Sequence, residues 1–213
     1  MNNLTLAGRS DLHIARKLWH IFCGSAAVGT YYLSNIELEF WGWVALGIAI
    51  SGFALDFLRL NNKKFNQLAL KLLAPIMRKS EKESFSGLPF YALGIAASIY
   101  FYDKDIALIS ILYLVFADPV SSFFGVQFGK DKILPNKSLQ GTIAGFFACY
   151  FITIIYVADV QTSSMNILAF SLLAALIGAI SELFSAFNID DNVTIPVISG
   201  AGLTVLNYLF QIF

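Results

Sequence analysis

Seven apolar runs, each near the length that crosses a bilayer, constrain this 213-residue chain more than any motif does. They fall at about 17–34, 41–58, 87–102, 106–125, 141–158, 166–184 and 193–213, the third being the shortest. A spanning helix needs roughly 17–25 mostly apolar residues, because the hydrocarbon core leaves the backbone no hydrogen-bond partner but itself. Composition agrees: 57% of residues are apolar and 13% charged, where a soluble domain carries about 45–50% and about 25%. The fold expected is therefore all-α, a polytopic membrane protein of about seven transmembrane helices. No spacer between runs has the composition of a linker, so residues 1–213 read as a single domain. Net charge is zero, which gives no reason to expect nucleic-acid binding. Cys23 and Cys149 are isolated in apolar runs without metal or disulfide spacing, and read as small buried hydrophobes. Asp11, His13, Arg16 and Lys17 precede the first run with no small-residue cleavage pattern, so no cleaved signal peptide is expected.

Orientation follows from where lysine and arginine fall. With the N-terminus inside, the inner segments hold 13 of the 14 basic residues, and only Lys104 lies outside. The short outer loops instead carry Glu37, Glu39, Asp103, Asp105 and Asp159. This places the C-terminus outside and any site among the inner segments on the cytoplasmic face. Residues 60–79 differ from the spans. Phe65, Leu68, Ala69, Leu72 and Ile76 share one helical face, with Lys64, Lys71 and Arg78 off it. This pattern predicts one amphipathic helix in the inner interface, bent at Pro75.

The chemistry centres on Asp118, which follows twelve residues of apolar run beginning at Ile106. A carboxylate near the bilayer centre costs roughly 2.5–3.5 kcal/mol on insertion scales, so such groups are functional by default. Pro119 cannot donate an amide hydrogen, and the helix is expected to break or kink there. Gly125 and Gly129 permit close backbone approach, either to phosphates or to another helix. Lys130, Lys132, Lys137 and Ser138 come next, ending at Gly141. No Walker A pattern surrounds Lys137, but a lysine can still hold a phosphate as a point charge. Glu182 ends the sixth run, and Asp190, Asp191 and Asn192 open the seventh. Mg²⁺ takes carboxylate oxygens together with substrate phosphates, so Asp118, Glu182, Asp190 and Asp191 are candidate ligands. One of the last three residues is also expected to cap the helix. Lys17 and His20 share a helical face behind Arg16, and His20 in an apolar run is a candidate catalytic group. Acids and bases at one membrane face point to phosphoryl or nucleotidyl transfer onto a lipid headgroup.

At these residues the chain resembles the polyprenol and lipid kinase family that includes dolichol kinase, phytol kinase and CTP-dependent diacylglycerol kinase. The resemblance covers most of the chain. Arg16-Lys17-x-x-His20 resembles the opening motif, and Glu81 with Ser86-Gly87 and Tyr91 the middle one. Its most specific part runs from Asp118-Pro119 through Gly125 and Gly129-Lys130 to Lys137-Ser138-Leu139-x-Gly141. Glu182 with Asp191-Asn192-x-Thr194-x-Pro196 resembles the closing motif. The resemblance implies a membrane kinase passing a phosphate from CTP to a lipid alcohol, with Mg²⁺. It implies Asp118, Glu182 and Asp191 around that ion, either all as ligands or with one of them as base for the attacking hydroxyl. Lys137, Lys130 and Arg16 would hold phosphates, and Gly125, Gly129 and Gly141 would let backbone approach them. The related phosphatidate cytidylyltransferases close with basic residues where this chain, from Glu182 to Asp191, has none. Cytidylyl transfer is therefore the second hypothesis, and a lipid-phosphate transporter with Asp118 as proton relay the third.

Overall fold

The computed structural model describes residues 12–160, 165–184 and 190–213. Arg9 and Asp11 lie outside the described residues. Each apolar run forms a helix. In chain order these are α1 (Ile14–Ser34), α2 (Leu38–Asn61), α3 (Lys63–Leu73), α4 (Gly87–Phe101), α5 (Lys104–Leu112), α6 (Asp118–Phe128), α7 (Leu139–Val160), α8 (Met165–Phe184) and α9 (Asp191–Phe210). Successive long helices alternate in direction. One end of the bundle therefore collects the starts of α1, α4, α7 and α9 with the ends of α2, α6 and α8.

Among the described residues, five stretches are long and apolar enough to cross a membrane: α2, the joined stretch Lys104–Phe128, α7, α8 and α9. The expected count was about seven. Helix α4 is apolar but only 15 residues long, and α1 opens on Arg16 and Lys17.

At Pro119, where a break or kink is expected, the helix continues, and its irregularity lies one turn earlier. A π turn over Tyr113–Ala117 carries α5 into α6, and Pro119 sits in the first turn that follows. Likewise α9 runs through Pro196. The amphipathic helix is shorter than expected. Helix α2 continues to Asn61, and Asn62 then caps α3 by accepting from the amides of Lys64 at 3.1 Å and Phe65 at 3.2 Å. Pro75 lies beyond the end of α3. The face bearing Phe65, Leu68 and Leu72 has little protein cover, Leu72 being 70% exposed.

The fold is not purely helical. Between α6 and α7 lies an antiparallel hairpin, β1 (Lys132–Leu134) and β2 (Lys137–Ser138), turning at Pro135-Asn136. The core sits around the π turn: Tyr113, Leu114 and Val115 are fully buried, together with Phe170, Ala174 and Leu203. In lipid, helices gain little from hydrophobic burial against one another, and close approach of small residues matters more. Gly141 of α7 illustrates this. A Cβ there would lie 2.9 Å from the Ser121 carbonyl oxygen and 3.0 Å from the Gly125 Cα of α6.

Candidate active site

The π turn delivers the first site residue. The Asp118 amide bonds to the carbonyl of Tyr113, five residues back instead of four. Below it the Tyr113 hydroxyl pairs with Thr153, fixing the turn against α7. Asp118 thus reaches the polar end of the bundle while the turn before it stays in the apolar core.

The hairpin delivers the second. On β2, Lys137 forms an ion pair with Glu182 at the end of α8, and both are largely shielded from solvent. Ser138 is buried, and its hydroxyl accepts from the Gly141 amide at 3.3 Å, which ties the hairpin to the start of α7. Gly125 and Gly141 meet across α6 and α7, so their small size serves helix packing as well as the cavity wall that both line.

The start of α9 delivers the third. Asp190 is the cap: its Oδ1 accepts from the Asn192 amide at 3.0 Å and side chain at 2.7 Å. Burial and the neighbouring Asp191 raise its carboxyl above the ordinary range. Asp191 instead points inward, where its Oδ2 lies 4.0 Å from an Arg78 nitrogen.

Arg16 reaches from α1 to the segment between α3 and α4. Its Nη1 donates to Glu81 at 2.8 Å and to the Ile76 carbonyl at 2.9 Å. The guanidinium passes over Gly87, where a side chain would collide with it. That segment is pinned a second time by a buried pair in α2. Asp56 and Arg59 meet at 2.6 Å. Asp56 accepts from the Ser86 amide at 2.6 Å and hydroxyl at 2.8 Å, and Arg59 donates to the Ser84 carbonyl at 2.7 Å. The pins leave Arg78 facing the carboxylates.

These groups surround a cavity of about 580 Å³, lined by Arg78, Asp118, Lys132, Lys137, Glu182 and Asp191 among others. Gly125, Gly129, Ser138 and Gly141 form part of the same wall. A much smaller recess beside it, about 40 Å³, is lined by Arg16, Lys17, His20 and Asn192. Asp118, Ser122, Arg78 and Asp191 belong to both. The Lys17 ammonium is buried there without a hydrogen-bond partner, 5.8 Å from the Phe123 ring centroid. Of the expected site residues, two are not brought to either wall. Lys130 is exposed, and its amide donates to the Gln140 side chain at 3.1 Å. Asp190 is occupied as the cap. Arg78 is the residue that sequence reasoning missed: its charge was credited to a helix lying on lipid. Its place three residues before Glu81 was the available signal.

Among the described residues, no three His, Cys, Asp or Glu side chains converge to hold a bare metal ion. Asp118 and Asp191 share the wall between the two chambers, and Mg²⁺ is commonly held by one or two carboxylates plus substrate phosphates. The donor set fits an ion that arrives with its phosphates.

The sequence profile of the cytidylyltransferase family matches residues 10–187, from α1 to just beyond α8. The chain belongs to the cytidylyltransferase family. CTP-dependent diacylglycerol kinase 1 of Saccharomyces cerevisiae is 34% identical over 217 residues, covering 93% of this chain and 74% of that protein. The protein of the same name from Schizosaccharomyces pombe is 32% identical, over 74% of this chain and 77% of its own length. Phytol kinase of Synechocystis is 24% identical, over 92% and 79% respectively. No solved structure matches. Within the cytidylyltransferase family, these relatives are named as kinases, in line with the absence of basic residues between Glu182 and Asp191.

Proposed function

We propose that this protein transfers the terminal phosphate of CTP to the hydroxyl of a membrane lipid alcohol. The observation that carries this reading is the convergence of Asp118, Asp191, Arg78 and Lys137 on one cavity in a chain 34% identical to a CTP-dependent lipid kinase. The cavity volume of about 580 Å³ falls within the roughly 300–1,000 Å³ usual for small-molecule sites. Phosphoryl transfer through a loose transition state asks mainly for positioning and charge neutralisation. Arg78, Lys137 and Lys132 supply cations for the phosphate chain, and the Ser138–Gly141 segment supplies backbone near it. Lys137 leaves Glu182 for a phosphate oxygen when nucleotide binds. Asp118 and Asp191 are the residues that would hold Mg²⁺, which when bound would neutralise charge on the phosphates. The small recess takes the acceptor hydroxyl, with Lys17 and Ser122 beside it and Asp118 between the two chambers.

The site lies on the cytoplasmic face, and α1 and α4 complete seven passages through the bilayer. The positive-inside distribution supports both statements. Helix α3 lies in the interface with its uncovered apolar face in lipid. Diacylglycerol is the first acceptor to test, because the relatives at 32–34% identity carry that name.

The test is purified protein in detergent with Mg²⁺ and CTP labelled at the terminal phosphate, against diacylglycerol, phytol and farnesol, with ATP in parallel. Label in a lipid is expected with CTP. Cytidine label in a lipid given phosphatidate would replace the kinase reading with nucleotidyl transfer. Asp118→Asn is expected to abolish turnover, and near-normal turnover would remove Asp118 from the mechanism.

A further inference from the structure

We infer that His20 is a positioning residue whose ring holds open the π turn that aims Asp118 into the cavity. The inference begins with one carbonyl. In an α-helix the Leu114 carbonyl would accept from the amide of residue 118, but that amide is bonded to Tyr113. In a π-helix it would accept from residue 119, but Pro119 has no amide hydrogen. Leu114 is fully buried, so water does not serve it either. A buried carbonyl left without a donor is strongly disfavoured. His20 fills the gap from another helix: its Nε2 lies 2.9 Å from the Leu114 oxygen. A carbonyl only accepts, so Nε2 carries the proton and donates.

The ring is itself held. It meets the Tyr91 ring edge-on, centroids 4.3 Å apart, and the Tyr91 hydroxyl donates to the His20 carbonyl at 3.3 Å. The opening motif and the middle motif thus converge on the turn that carries Asp118. Without the imidazole donor, the cheapest partner for the Leu114 carbonyl is the Asp118 amide. Taking it converts the π turn to α. That removes one residue from the turn and swings Asp118 about 100° around the helix axis, the angle per residue of an α-helix. The carboxylate then leaves the cavity while the nucleotide cations stay in place.

The activity arm of the test rests on the kinase reading. His20→Leu is expected to lower kcat roughly 30-fold, as for loss of a donor to a buried acceptor. The KM for CTP should rise by less than kcat falls, because Arg78, Lys137 and Lys132 still hold the phosphates although Asp118 no longer shares the ion. His20→Gln, whose amide nitrogen stands near the Nε2 position, is expected to restore most of the loss. Pro119→Ala returns an amide hydrogen at the π position, so in that background the loss from His20→Leu should shrink severalfold. An equal loss in both backgrounds, or a change confined to KM, overturns the inference. Should His20→Leu not fold, His20→Asn takes its place, since its shorter amide stops near the Nδ1 position. Hydrogen exchange of the 113–119 segment is read alongside and needs no substrate. It is expected to quicken in His20→Leu and not in His20→Gln. Unchanged exchange overturns the inference even if phosphate transfer from CTP is found, and absence of that transfer in the wild type counts only against the kinase reading.

Discussion

Arg78 and Lys137 present different kinds of positive charge to the cavity. Lys137 is already paired with Glu182, whereas Arg78 stands 4.0 Å from Asp191, near enough to orient and too far to be consumed. Guanidinium can hold two phosphate oxygens at once in a fixed fork. Arg78→Ala is expected to lower turnover with CTP by about 100-fold or more while the protein remains folded, and Arg78→Lys to recover only part of it. Steady-state kinetics beside a thermal melt separates the two effects; an active Arg78→Ala would remove this residue from phosphate binding. Asp190 makes the opposite case. It is a cap, and asparagine caps as well as aspartate. Asp190→Asn should keep turnover within about threefold of wild type, since a cap and not a metal ligand is being replaced. Because burial raises the Asp190 carboxyl in the folded state, its ionisation opposes folding: stability present at acid pH is lost as pH rises through the carboxylate range. The variant escapes that loss and should melt no lower than wild type near neutral pH. A collapse of activity in Asp190→Asn would instead make it a ligand.

At the scale of elements, the segment from Arg78 to Gly87 has little regular structure and owes its position to neighbours. Asp56 and Arg59 are 6% and 3% exposed, and together they accept from or donate to both Ser84 and Ser86. Removing one member of such a pair strands the other, which typically costs about 3–5 kcal/mol. Asp56→Ala is expected to lower the melting temperature sharply and, where folded protein is recovered, to lower activity by releasing Arg78. The contact of α6 with α7 makes a parallel prediction. Gly141→Ala forces a methyl into the Ser121 carbonyl and Gly125 backbone, so it should destabilise the protein and displace the hairpin carrying Lys137. Gly47 of α2 is the control, because nothing lies within 4 Å of where its Cβ would be. Gly47→Ala should be neutral or stabilising by about 0.5–1 kcal/mol, as for glycine in an open helix interior. A Gly141→Ala protein as stable as Gly47→Ala would refute the packing account.

At the scale of the molecule, alternating passages put Lys104 and the hairpin at opposite ends of the bundle. With Cys23 and Cys149 replaced, Lys104→Cys should react with a membrane-impermeant maleimide from outside intact cells. Lys130→Cys should react only in inverted vesicles, and labelling of both from one side would refute the topology. Much of this scale was legible in the sequence. The seven runs each became a helix, because transfer into lipid is a sum over neighbouring residues and needs no knowledge of the fold. Asp118 stood out for the same reason, as a charge whose local cost demanded an explanation. The sequence could not separate Asp190 from Asp191, since one helical register makes the first a cap and the second a cavity wall. It also hid Arg78, because one more basic residue in an inner segment looks like topology alone. The hairpin under Lys137 and the π turn under Asp118 were likewise invisible. The turn exists because the Asp118 amide bonds to Tyr113, Pro119 offers no amide, and an imidazole 94 positions away serves the Leu114 carbonyl instead. Local composition thus determined which segments form apolar helices. Only tertiary packing decided which polar groups face one another, because those partners are far apart in the chain and are chosen by distance and direction in space.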